Sequence, residues 1–316
     1  MPDKDRVLLS VPLGGLNDTL CQLEKAFSYA EFDNRVLVLH TPFSGLGLDF
    51  ARVFELRGKN HGVHVELSLN LAERLDHLDT SPKLLQGQIA STFLDRSMAL
   101  HYPEGTRLPY RISKSQPLQA SLIVHHQSGG GDLSQRFLSR ITLSPMMRVM
   151  VRDRIASLPR RFQAVHFRAT DYTTDIDLLV ENLKHRTIRQ FPLVVVSDNN
   201  EMTTLVSRQI PNRLTIPFLN GLAQDAGRPL HAPSPERTYS ERLNAAADAL
   251  ASLLVLAQAR RLFIPEVQQQ SKSGSQQVSG FSRLGSYLQR NRGVRTHFFG
   301  RELTWGGFMS GQTERL

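Results

Sequence analysis

Cysteine and tryptophan are almost missing from this chain: Cys21 and Trp305 are the single examples of each among 316 residues. A lone thiol excludes an internal disulfide framework and a cysteine-rich metal site, and it fits a reducing compartment such as the cytoplasm. No apolar run approaches the roughly 18 residues of a bilayer-spanning helix. The opening MPDKDRVLLSVPLGG is not expected to act as a secretory leader, because its apolar run of about seven residues follows acids and ends in a glycine turn. Two nucleotide signatures are also lacking. Gly14-Gly15-Leu16-Asn17-Asp18 is not Gly-x-Gly-x-x-Gly and has no Gly-Lys-Ser/Thr ending, which argues against an NAD enzyme and an ATPase. Lysine-rich tails and an RNA-binding aromatic signature are absent too, so the formal net charge of +9 is not expected to mark a nucleic-acid partner. A phosphate-bearing small substrate, or peripheral contact with a membrane through the basic surface, suits that charge better.

What is present reads as a globular chain: hydrophobic residues make up 40% and charged residues 21%. Its length suits two domains of about 150 residues each, and the expected boundary gives 1–150 and 151–316. Short apolar runs alternate with helical patterns in both halves. In the first, strands are expected at Arg6–Leu13, Arg35–His40 and Leu122–His126, with a helix near Asn17–Glu31. In the second, strands are expected at Phe162–Phe167, Leu193–Val196 and Arg261–Ile264. Helices there are expected near Ile176–Arg189, Thr238–Ala259 and Ser279–Gln289. Ser144-Pro145 reads as an N-cap with proline at the first helical position, opening a helix to about Leu158. Asp198–Glu201 and Thr238–Glu241 read as capping boxes, and Gly221–Pro235 as a long surface loop. Two alternating sets imply an α/β fold of two Rossmann-like, doubly wound domains. Such sheets bind ligands outside the carboxyl ends of their strands, and two of them facing a cleft would enclose a ligand.

Chemistry is therefore sought where strands end. Val165-His166-Phe167-Arg168-Ala169-Thr170-Asp171-Tyr172 puts an arginine just past an apolar strand. Its planar fork can give two parallel charge-assisted hydrogen bonds to phosphate oxygens, or it can simply pair with Asp171. Asp198 follows the strand-end peptide Val194-Val195-Val196-Ser197, where it can serve a ligand or cap a helix. Ser279-Gly280-Phe281-Ser282 opens a helix whose unpaired N–H groups suit an anion, although both serines could be helix-start residues alone. Asp248 sits in an Ala/Leu-rich helix, on a solvated face or toward a ligand. Gly14 and Gly15 permit close backbone approach, and Asn17 or Asp18 is expected to cap the helix behind them. Asp175 is a candidate general base for an acceptor hydroxyl. Asp175-Ile176-Asp177 spells Asp-x-Asp but reads as loop, so no metal is expected. His125 and His126, adjacent on a strand, point to opposite faces.

His166-Phe167-Arg168-Ala169-Thr170-Asp171 resembles the His-x-Arg-x-x-Asp peptide of the α1,2-, α1,6- and protein O-fucosyltransferase superfamily. The Val-His-x-Arg-x-Thr-Asp wording is closest to the α1,6 branch of the rhizobial nodulation type. Ser197-Asp198, then Asp248 followed by Ser279-Gly280-Phe281-Ser282, are similar to two further peptides of that superfamily in order and spacing, and Gly14-Gly15 to its glycine loop. The resemblance implies a GT-B fold, with a C-terminal nucleotide-binding domain and an N-terminal domain on the acceptor side. It also implies metal-independent, inverting transfer of L-fucose from GDP-fucose to a glycan or glycoconjugate in glycan biosynthesis, without a cofactor. Arg168 would meet the β-phosphate. Gly14, Gly15, Asn17, His166, Asp198, Asp248, Ser279, Gly280, Phe281 and Ser282 would join it in holding the nucleotide sugar. Ala169 departs from the second arginine often found there. Another GDP-sugar as donor, a non-catalytic nucleotide- or glycan-binding protein, and a basic nucleic-acid-binding protein are the alternatives.

Overall fold

The computed structural model describes residues 3–57, 63–94, 112–115, 117–169, 174–210, 214–218, 237–265, 278–304 and 312–315. The expected loop at Gly221–Pro235, together with Asp171, Tyr172 and Trp305, lies outside them. Two compact units divide the chain. The first runs to Ile141 and the second starts at Thr142, apart from a short segment ending at Tyr239 that groups with the first.

The first unit contains β1 (Asp3–Pro12), α1 (Leu16–Phe32), β2 (Arg35–Leu39), α2 (Phe50–Val53), β3 (Phe54–Leu56), β4 (Val63–Glu66), α3 (Leu69–Asp76), β5 (Thr80–Ser81), α4 (Ile89–Phe93), β6 (Leu122–Gln127) and α5 (Leu133–Phe137). A short strand, β7 (Ile141–Leu143), carries the chain from one unit to the next. Five strands form a sheet in the order β4-β2-β1-β6-β5, and every pairing in it is parallel. The sequence explains this. β6 is buried along Leu122–His126, and a strand buried continuously belongs in a sheet covered on both faces. One face packs Val7, Leu9, Val38, Leu122 and Val124 against Ala72, Leu75, Ile89 and Phe93 of α3 and α4.

The second unit contains α6 (Pro145–Ile155), β8 (Gln163–Phe167), α7 (Ile176–Arg186), β9 (Leu193–Ser197), α8 (Asn200–Gln209), β10 (Thr215–Phe218), α9 (Tyr239–Gln258), β11 (Arg261–Ile264), α10 (Gly280–Arg290), α11 (Arg292–Phe299) and β12 (Gln312–Arg315). Its sheet has the order β10-β9-β8-β11-β12, again parallel throughout. Both sheets thus show the crossover order of a Rossmann-like fold, reversing direction beside their first strand. Val165, Phe167, Val195 and Phe263 pack on Leu179, Val180, Leu183 and Val206 of α7 and α8. α9 is buried from Ala246 to Ala257 except at Ala249, as expected of a helix apolar nearly all round. Gly285 of α10 lies so near it that a Cβ there would stand 2.9 Å from Leu256 Cβ.

Ser144 caps α6, its hydroxyl accepting the Met147 N–H at 3.2 Å with Pro145 in the first turn, as the dipeptide predicts. Residue 150, where the sequence reading put the boundary, lies within this helix.

Candidate functional site

The site in the second unit is set by strand register. β8 and β9 pair with His166 opposite Val196 and Phe167 opposite Ser197. The next residue of each strand leaves the sheet at the same level, so Arg168 and Asp198 come out side by side. Arg168 Nε lies 3.5 Å from Asp198 Oδ2, and Asp198 Oδ1 accepts the Ala169 N–H at 2.8 Å. One carboxylate therefore holds both the guanidinium and the backbone that carries it. The Thr174 hydroxyl donates to Arg168 O at 2.8 Å and closes the loop from the other side. The side chains of Arg168 and Asp198 keep 18% and 14% of their exposure, enough to meet a ligand while water is mostly excluded.

Next to this pair, His166 Nδ1 and Ser282 Oγ are 2.7 Å apart, and Ser282 Oγ is 2.9 Å from Ser279 Oγ. Ser279 is the N-cap of α10 and accepts the Ser282 N–H at 3.1 Å. The Phe281 ring tilts against the imidazole at 5.2 Å, and Gly280 is the first residue of the helix. A three-residue polar chain thus ties the end of β8 to the start of α10, where a helix offers its unpaired N–H groups and positive dipole end.

Burial, and secondarily the Arg168 cation, push the His166 imidazole down to about 4, against the opposing pull of Asp198. The histidine is neutral in the folded protein at neutral pH. In the unfolded chain the imidazole titrates near 6.5, so its folded-state advantage is complete above that pH and is lost as pH falls from about 6.5 toward 4. His126 in the first unit is likewise held at about 4 by burial. Glu66, raised to about 7 by burial, acts in the opposite sense there. Among the described residues of the second unit His166 alone gives such a value, worth up to about 3 kcal/mol across the window. His166→Gln is expected to flatten the pH dependence of the melting temperature between pH 7 and 5. Parallel profiles for parent and variant, measured by calorimetry, would refute this.

The remaining expected residues have partners of their own. Asp248 is 4% exposed and ion-paired with Arg154 of α6, and Arg154 also donates to Asn244 Oδ1 at 2.9 Å. Its solvated-face reading is corrected, and as a nucleotide ligand it would have to share its carboxylate with Arg154. Asp175 is the N-cap of α7, accepting the Leu178 N–H at 3.0 Å, so Asp175-Ile176-Asp177 opens a helix and is not loop. Asn199, not Asp198, caps α8 and takes the Met202 N–H at 3.0 Å. The cap lies one residue beyond the expected Asp198, because β9 runs to Ser197 and either side chain suits a cap.

In the first unit, Gly14 has φ +88° and its carbonyl accepts the Gly45 N–H at 2.6 Å. A Cβ on Gly45 would stand 2.8 Å from Gly14 O and from Gly15 Cα, so these loops touch backbone to backbone. Gly15 is itself the N-cap of α1, which corrects the expected cap at Asn17 or Asp18. Asn17 lies in the first turn, where its Oδ1 accepts the Ser134 hydroxyl at 2.7 Å. His125 faces Gln22 Oε1 at 3.0 Å, and among the described residues no group of three His, Cys, Asp or Glu could hold a metal ion. Thr174, and Asp198 as the holder of the Arg168 backbone, escaped the sequence reading. A threonine six residues beyond an arginine carries no signal of its own.

No family model and no curated protein sequence matches the chain. Solved structures do. NodZ α1,6-fucosyltransferase soaked with GDP-fucose is 17% identical with a TM-score of 0.52, over 90% of this chain and 93% of that one. The fucosyltransferase NodZ from Bradyrhizobium is 16% identical with a TM-score of 0.52, over 90% and 94%. POFUT1 in complex with GDP is 13% identical with a TM-score of 0.51, over 99% of both chains. This chain has their GT-B fold. In a GT-B protein built of parallel sheets, the carboxyl ends of the strands are where ligands bind, and Arg168, Asp198 and the start of α10 stand at that end of the second sheet.

Proposed function

We propose that this GT-B protein is an inverting glycosyltransferase that uses a GDP-sugar, with GDP-fucose as the donor and a glycan or glycoconjugate hydroxyl as the acceptor. The observation that carries this reading is Arg168 at a strand end, its Nε turned to Asp198 and its backbone fixed on both sides. A guanidinium held this way is preorganised for a diphosphate. The acceptor oxygen attacks the anomeric carbon and gives its proton to a base, the role proposed for Asp175, while the bond to the β-phosphate oxygen breaks and the departing GDP gains negative charge next to a cation already in place. The first turn of α10 supplies backbone N–H donors to the same anion. Arginine and backbone amides then do the work of a divalent ion. Two of the three solved structures support the donor by what their own crystals contain, GDP-fucose in one and GDP in the other.

Calorimetric titration tests the donor. GDP and GDP-fucose are expected to bind at least tenfold, about 1.4 kcal/mol, more tightly than UDP or UDP-sugars. Equal affinity for the two nucleotides would remove the assignment. Transfer is expected to continue in excess EDTA; activity lost there and restored by Mg²⁺ would overturn the metal-free mechanism.

A further inference from the structure

Where β4 ends, at the carboxyl end of the first sheet, one carboxyl group caps a helix that it does not belong to. β2 and β4 pair with Leu39 opposite Glu66. Beside them α2 begins with Asp49 as its N-cap, and the Asp49 side chain makes no capping bond. Glu66 takes that place from the strand. Its Oε1 accepts the Ala51 N–H at 2.9 Å, and the Phe50 N–H is also turned toward the carboxyl group. Its Oε2 is buried, and among the described residues nothing pairs with it.

The segment before α2 is closed on itself. The Thr41 hydroxyl donates to Leu48 O at 2.6 Å, the Ser44 hydroxyl to Thr41 O at 2.7 Å and the Gly47 N–H to Ser44 O at 2.9 Å. Such a loop keeps its own shape, so its position is set by its two ends, the end of β2 and the start of α2. From there it reaches the turn after β1, where the Gly45 N–H donates to Gly14 O at 2.6 Å. That turn stands at the ligand end of the sheet. The bond from Glu66 to the start of α2 therefore helps to hold the loop against Gly14.

We propose that Glu66 is a proton-sensitive latch: as the neutral acid it keeps the start of α2 and the loop at 41–48 closed on the Gly14 turn, and as a carboxylate beside Asp49 it lets them open. Burial raises the Glu66 carboxyl to about 7; the two α2 amides oppose the rise and the Asp49 carboxylate adds to it. The other charged groups around β4 lie elsewhere. Arg35 stands at the far end of β2, bound to Asp33. The His40 ring lies against Phe43 and Phe93. Arg52 of α2, Glu55 of β3, and Glu73 and Arg74 of α3 are exposed. An exposed glutamate titrates near 4.5, so closure takes up a proton. The closed form has its full advantage below that pH. It loses the advantage as pH rises toward 7, by up to tenfold in the opening equilibrium for each unit, and the loss is complete above 7.

Hydrogen exchange of the full chain tests this, with each rate corrected for the intrinsic pH dependence of amide exchange. Protection of the amides at 41–53 is expected to fall about fiftyfold between pH 5 and 7.5. Glu66→Gln keeps an oxygen to accept the Ala51 N–H and cannot ionise, so protection of the same amides is expected to stay level over that range in the variant. A parent chain whose corrected protection at 41–53 does not change between pH 5 and 7.5 would overturn the proposal without recourse to any variant. So would a folded Glu66→Gln protein whose protection there falls as steeply as the parent's, since another group would then carry the titration.

Discussion

Arg168→Ala is expected to leave a folded protein whose transfer rate is lower by 10²–10³, about 3–4 kcal/mol, by analogy with the removal of one preorganised donor from an oxyanion site. The loss should fall on kcat as well as on donor affinity, because charge on the diphosphate grows as the sugar leaves. Arg168→Lys should recover little. A lysine restores a point charge but not the planar fork that can face Asp198 through one edge and phosphate oxygens through the other. Ala169 sharpens the expectation, since the position where the fucosyltransferase peptide that this segment resembles often has a second arginine offers only a backbone N–H, already given to Asp198. The competing account is a purely structural pair. Arg168 and Asp198 keep 18% and 14% side-chain exposure, and their loss as a mere ion pair would lower the melting temperature and leave turnover per folded molecule unchanged. Initial rates and melting curves of both variants separate these accounts. Near-parental turnover in folded Arg168→Ala would remove Arg168 from the mechanism.

The site became legible in the sequence wherever local pattern and chemistry coincide. Val165–Arg168 shows a buried run ending in a charged residue, which is enough to place Arg168 just past the end of a strand. Ser279-Gly280-Phe281-Ser282 shows a cap serine with a second hydroxyl three residues on. The sequence could not show that this second hydroxyl reaches back 116 residues to His166, because that distance is decided by packing. Asp198 illustrates the same limit. Its neighbour Asn199 is an equally good cap, and only the Phe167–Ser197 pairing puts Asp198 level with Arg168. Strands such as β10 and β12 went unseen because Thr215–Phe218 contains Pro217 and Gln312–Arg315 is polar. Each is an edge strand of its sheet, where the demand for apolar residues is weakest and proline is tolerated. Asp248 could be read either way on an Ala/Leu helix, and its partner Arg154 lies 94 residues away.

The largest expected effect on stability belongs to the first unit, at Arg35. This residue opens β2 with its side chain fully buried. Its Nε donates to Asp33 Oδ2 at 2.6 Å, Nη1 to Ala120 O at 2.8 Å and Ser121 O at 3.1 Å, and Nη2 to Leu118 O at 2.8 Å. One guanidinium thereby ties the turn after α1, held in shape by Asn34 at φ 51°, to the segment that leads into β6. Arg35→Met keeps much of the volume but leaves the partly buried Asp33 carboxylate to Arg6 alone and removes the guanidinium donor from the carbonyls of Leu118, Ala120 and Ser121. Removing one member of such a buried charge pair costs about 3–5 kcal/mol. For a unit of this size that lowers the melting temperature by roughly 10 °C. Arg35→Lys should be nearly as harmful, since an ammonium cannot reproduce the fork across separate segments. Arg6 supplies the control. It binds the same Asp33 at 2.9 Å, but its side chain keeps 31% exposure, and Arg6→Met should cost only about 1 kcal/mol. Thermal and urea unfolding of the three variants test the ranking. If Arg35→Met melts within a degree or two of the parent, the guanidinium is not what joins β2 to the start of β6, and apolar packing of Val7, Leu37 and Leu122 must be holding the register alone.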